Sequence, residues 1–158
     1  MTVGLSEHYS GRQFWSSFTE QCLVGKLQDN PNSLCVIDRW SLGHVAHGLL
    51  FHLLLELLAC VLKKKPAGLF GVVIVEAAWE IFENSGWCVD RFRARGTKGY
   101  LGDSLVNSFG DITCCILGYA LAQRLTTHST IFLIVAFEVL TYAVAGESVF
   151  TMFINLMR

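Results

Sequence analysis

Apolar residues fall into long blocks separated by short polar stretches, and that pattern predicts helices rather than strands. The first block runs from Trp40 to Leu62 and is stopped by Lys63-Lys64-Lys65-Pro66. At ~1.5 Å per residue it can cross a hydrocarbon core of about 30 Å. Gly68 to Asn84 predicts a second, shorter span carrying three glutamates. A third runs from about Asp103 to Gln123, and Ile131 to Ala145 begins a fourth. Val149 to Met157 is apolar again, and either extends the fourth helix or turns back along the interface. In residues 13–27, Phe14, Trp15, Phe18, Cys22 and Leu23 share one helical side, which predicts an interfacial amphipathic helix.

Only helices and closed barrels satisfy their backbone hydrogen bonds in lipid. The expected fold is therefore all-α: a membrane bundle of about four transmembrane helices over residues 40–158, preceded by an interfacial segment over residues 1–39. Composition agrees. Of 158 residues, 53% are hydrophobic and only 16% charged, against about a quarter in soluble domains. Mean hydropathy is +0.46 and the formal net charge is −1. These values argue against disorder and against a soluble nucleic-acid binder. The first ten residues carry no basic cluster followed by an apolar core, so insertion is expected to rely on the internal spans. The six cysteines form no C-x-x-C pair, and Cys60, Cys114 and Cys115 read as small apolar residues inside helices.

Let side B be the membrane face at the start of the first span, and side A the other. Lys63–Lys65 and Arg124 then lie on side A, and the basic stretch from Ser85 to Gly102 on side B. The side-A loops hold basic residues without acids, which favours side A as cytoplasmic.

Candidate chemistry gathers at side B. His44 and His47 share a face of the first span, and Glu76, Glu80 and Glu83 form a stripe on the second. Asp103, Asn107 and Asp111 recur every four residues at the start of the third. Ionisable groups inside spans are costly and mark functional sites. Three antiparallel spans would bring these groups into one cavity. Imidazole with carboxylate suits a divalent ion such as zinc, manganese or iron. The candidate ligands are His44, His47, Glu80, Glu83, Asp103, Asn107 and Asp111, with Glu76 as a candidate general base. Arg91 and Arg93 suit a phosphate-bearing or lipid-linked substrate, or else they neutralise Asp90, Glu83 or Asp103.

The segments Glu76-Ala77-Ala78-Trp79-Glu80 and Gly102-Asp103-Ser104-Leu105-Val106-Asn107-Ser108, with Asp90-Arg91 and Asp111, resemble an uncharacterised family of small bacterial multi-pass membrane proteins. Trp40, His44, His47 and Gly48 are similar to the start of that family's first span. A more distant likeness reaches the VanZ-like membrane proteins, through His47, Glu76 or Glu80, Arg91, Asp103, Asn107 and Gly110. The glycine usual in that pattern four residues later is Cys114 here. The resemblance implies a helical membrane protein, with a bacterial inner membrane as the expected location and an organelle inner membrane as the other. It implies no reaction. Two function classes follow: a divalent-metal site acting on a lipid-linked or phosphate-bearing substrate, or a non-enzymatic accessory subunit of a larger membrane complex with a neutralised acidic stripe. A transporter of four short spans would need to oligomerise. The expected partners are the bilayer and, in the second class, other membrane-protein subunits, with no nucleic acid.

Overall fold

A computed structural model describes residue 24 and residues 33–95 and 99–157. The expected amphipathic helix of residues 13–27 lies outside the described residues, Val24 excepted. All elements among the described residues are helical: α1 (Ser41–Leu62), α2 (Gly68–Glu83), α3 (Gly86–Ala94), α4 (Leu105–Ala122), α5 (Thr127–Ala145) and α6 (Val149–Met157). Three of them, α1, α4 and α5, are long and apolar enough to cross a membrane. The shorter α2 lies against α1 and α4 and runs between the side-A turn and side B. The fold is an all-helical bundle of the membrane type.

The most extensive interface joins α1 to α4, and two glycines explain it. A Cβ on Gly48 would stand 1.9 Å from the Cys115 carbonyl oxygen, and one on Gly118 would stand 2.1 Å from that of Val45. The backbones meet where neither helix carries a side chain, which is how membrane helices approach closely.

Helix ends follow local chemistry. Lys63 ends α1 in the left-handed region (φ 52°), and its N–H reaches back to the Ala59 and Cys60 carbonyls. Ser85, Ser104 and Thr126 cap α3, α4 and α5, each accepting a bond from a backbone N–H three residues on. Gly146 (φ 79°) ends α5, so α6 is a separate helix rather than an extension. It packs near α3 and α5 at side B. The basic stretch read as a loop after Ser85 contains α3.

Burial divides the surface. Only 11% of the apolar window of α5 is buried, and Phe132, Val135 and Val139 are exposed. In a bilayer that face meets lipid. The buried positions of α1 and α4 are largely small or polar, including His44, His47, Asn107, Ser108 and Asp111. The interior of this bundle is more polar than its exterior, the reverse of a soluble protein.

A candidate metal centre

Glu76 is the centre of the buried cluster and is 0% exposed. Its Oε1 lies 2.5 Å from His44 Nδ1, and its Oε2 lies 3.0 Å from His47 Nδ1. One carboxylate on α2 thus joins two imidazoles on α1. The His47 ring stacks on Phe51 (centroids 5.2 Å apart) and meets the edge of Trp79 (5.7 Å). These aromatic walls fix its plane. The Cys115 thiol lies beside Glu76 from α4.

Around His44 the acids draw closer. Glu80 Oε1 is 3.7 Å from His44 Nδ1, and Asp111 Oδ2 is 3.7 Å from His44 Nε2. Donor atoms of His44, Glu80 and Glu83 lie within 4.8 Å of one another, as do those of His44, His47 and Glu76. Both sets can hold a metal ion by proximity. Both Glu80 oxygens and Asp111 Oδ1 are buried without a hydrogen bond of normal geometry, although the Ser108 hydroxyl neighbours Glu80. Buried carboxylate oxygens without partners are costly, so these three atoms mark where the cluster is incomplete by itself.

Asp103 and Asn107 are engaged differently. Tyr100 donates its hydroxyl to Asp103 Oδ2 (2.9 Å), and the Asp103 N–H donates to Asn84 Oδ1 (2.6 Å). The Asn84 amide in turn donates to the Glu80 carbonyl (2.9 Å), tying the end of α2 to the start of α4. Burial, and then the adjacent Asp103 carboxylate, raise the Tyr100 phenol well above its ordinary pKa, so it remains a donor. The Asn107 amide donates to the Cys35 carbonyl (2.9 Å). Residues 33–38 form a strap across the start of α4. The Ser104 N–H donates to the Ser33 carbonyl, and a Cβ on Gly110 would stand 1.9 Å from the Val36 oxygen. Cys35 itself is disulfide-bonded.

Neither arginine lies in the cluster. Arg91 donates to the Leu156 carbonyl (2.8 Å) and sits 4.6 Å from the Trp87 ring centre, which pins α6 to α3. Arg93 donates to the Tyr100 carbonyl and to Asp90 (3.3 Å). The expected neutralisation of Asp90 is present for Arg93.

The sequence reading gave no place in the site to Tyr100, Asn84 or Cys115. A weak signal existed for Cys115, which follows Asp111 by four residues and so shares its helix face. Asn84 and Tyr100 lie at element ends, where no periodicity points to them.

Residues 8–157 match the family described as Protein of unknown function (DUF2585). The chain belongs to that family. Among the relatives of this DUF2585 chain are the UPF0314 proteins of Brucella anthropi, 37% identical over 120 residues, and of Paracoccus denitrificans, 37% over 123 residues. These alignments cover 74% of the chain and 60% and 61% of the relatives. A UPF0314 protein of Agrobacterium fabrum is 37% identical over 113 residues, 70% of the chain and 56% of the relative. The chain thus spans about three fifths of the length of the curated relatives it matches. No solved structure matches it. The expected uncharacterised bacterial family is therefore the right one.

Proposed function

We propose that this DUF2585 protein holds a divalent metal ion at side B, with His44, Glu80, Glu83 and Asp111 as ligands. In this reading Glu76 is the group that orients His44 and His47. The observation that carries it is the 2.5 Å contact between Glu76 and His44 Nδ1. Two ligands of one ion at about 2.0–2.1 Å in tetrahedral geometry stand well over 3 Å apart, so this contact is a hydrogen bond. A carboxylate on Nδ1 is the usual outer partner of a metal-binding imidazole, and it leaves Nε2 for the ion. The 3.7 Å between His44 Nε2 and Asp111 Oδ2 suits two ligands of one ion. The unpartnered oxygens of Glu80 and Asp111 supply the charge. Donors of one nitrogen and several oxygens fit zinc, manganese or iron.

A bound ion would supply an activated water, and a lipid-linked or phosphate-bearing substrate fits a site at the bilayer surface. Arg91 and Arg93 on α3 would meet such a substrate at the rim, since each guanidinium has five N–H groups and only some are used internally. Asp103 and Asn107 would hold the start of α4 in place. We place the protein in a bacterial inner membrane with side A cytoplasmic, on two supports: the basic side-A loops, and a disulfide at Cys35 on side B.

The test is metal content and turnover. Purified protein loaded with zinc, manganese or cobalt and desalted should retain one equivalent, and Glu80→Gln with Asp111→Asn should retain none while keeping the helical circular-dichroism spectrum. Phosphate release from a polyprenyl diphosphate in mixed micelles should require that ion. Wild-type protein that retains no metal would overturn the reading. It would leave the accessory-subunit alternative, which the lipid-facing surface of α5 also serves and which co-purifying membrane subunits would support.

A further inference from the structure

A cavity of about 60 Å³ opens beside the cluster at side B. His44 and Asp111 lie on its wall, along with Trp40, Phe92 and Tyr100. Its charge is one-sided. Asp38, Glu83, Asp103, Asp111 and Glu147 line it, against the single guanidinium of Arg39. Neither Arg91 nor Arg93 is among its lining residues. A volume near 60 Å³ corresponds to a few water-sized positions. It has room for a small ion with part of its hydration shell.

Acidic lining alone could be a solvated surface. Two further observations separate this cavity from one. Asp111 is 3% exposed, and its Oδ1 is buried with no hydrogen-bond partner, at the cavity wall. The Asp111 Oδ2 faces His44 Nε2 at 3.7 Å, the proposed coordinating nitrogen. The cavity is therefore lined both by Arg39 and Glu147 and by the imidazole that the metal reading uses.

We infer that this cavity is a cation vestibule: a small divalent cation reaches His44 from side B through it. The inference rests on the metal reading above. A narrow passage lined by one sign of charge raises the local concentration of the opposite ion, and its arrival rate by about 10- to 1000-fold. Glu147 and Arg39 then set the rate with opposite sign, and neither is a proposed ligand.

The experiment uses the full chain in nanodiscs, with cobalt as the probe, its arrival followed by the visible d–d absorption in a stopped-flow instrument. Glu147→Lys should slow association about tenfold, and Arg39→Gln should accelerate it several-fold. Both variants should still bind one equivalent. The wild-type rate should fall as salt rises, because screening shortens the reach of the acids, and that measurement needs no variant. Inorganic phosphate should leave the rate unchanged. Normal cobalt stoichiometry with rates insensitive to both substitutions and to salt would overturn the vestibule and spare the metal site. No cobalt bound to the wild type would overturn the metal reading and the vestibule with it.

Discussion

Glu76 on α2 and His44 on α1 meet at 2.5 Å, both buried, although 32 residues separate them in the chain. The carboxylate fixes which imidazole nitrogen faces inward to α2 and which faces Asp111. Glu76→Gln keeps the shape but weakens the acceptor. It should lower metal affinity about 10- to 100-fold, the usual effect of losing such an outer partner. A chelator-competition titration reads this. Glu76→Gln with unchanged affinity would mean that Glu76 does not orient the ligand.

The crossing of α1 and α4 should be intolerant of bulk. Gly48→Leu puts a side chain where a Cβ already stands 1.9 Å from the Cys115 oxygen. The helices must part, at a cost of about 1–3 kcal/mol or more. Thermal unfolding in detergent should begin at lower temperature. Gly86→Ala, with nothing within 4 Å of the added Cβ, is the control and should unfold like the wild type.

The orientation proposed above, with side A cytoplasmic, rests on the disulfide at Cys35 and on the basic side-A loops. Disulfides persist in oxidising compartments. In intact cells, the peptide containing Cys35 should react with a maleimide only after reduction, when read by mass spectrometry. Alkaline phosphatase inserted between Lys64 and Lys65 should be inactive, and inserted after Gly99 it should be active. Activity in the reverse pattern would place the cluster on the cytoplasmic face.

Tyr100 gives a pH signature outside the spans. Its phenol pKa is raised in the folded protein by burial and by Asp103. The folded state therefore holds this proton more tightly than the unfolded chain. The associated stability is fully present below the unfolded value of about 10 and is lost as pH rises through the higher folded value. Tyr100→Phe should flatten this alkaline decline. It should also cost about 1–3 kcal/mol at neutral pH, because Asp103 loses a buried donor. Unfolding midpoints measured between pH 8 and 11 test both.

Much of this arrangement was readable from residue order. Four apolar blocks became α1, α2, α4 and α5 within a few residues of their expected limits. His44, Glu80 and Asp111 were expected to converge at side B, and the distances bring them together. Which acid meets which imidazole was not readable. That pairing depends on the axial register of α1 against α2, set by the Lys63–Ala67 turn and by the Gly48 and Gly118 approach to facing backbones. Periodicity within one helix carries no information on that register. The short α3 escaped notice because Gly86–Ala94 mixes apolar and charged residues and is recognisable mainly from its Ser85 cap. Asp103 and Asn107 showed the right spacing, yet their side chains bond to Tyr100 and to the Cys35 carbonyl, partners that lie at helix ends or in a strap.

The length of α2 has a further effect on the surrounding bilayer. Its 16 residues rise only ~24 Å, several ångströms less than the hydrocarbon thickness of about 30 Å. Lipids bordering Phe70, Ile74 and Ile81, which are exposed, must shorten or tilt to match it. Such local thinning would bring lipid headgroups closer to the end of α2, where Glu80 and Glu83 stand.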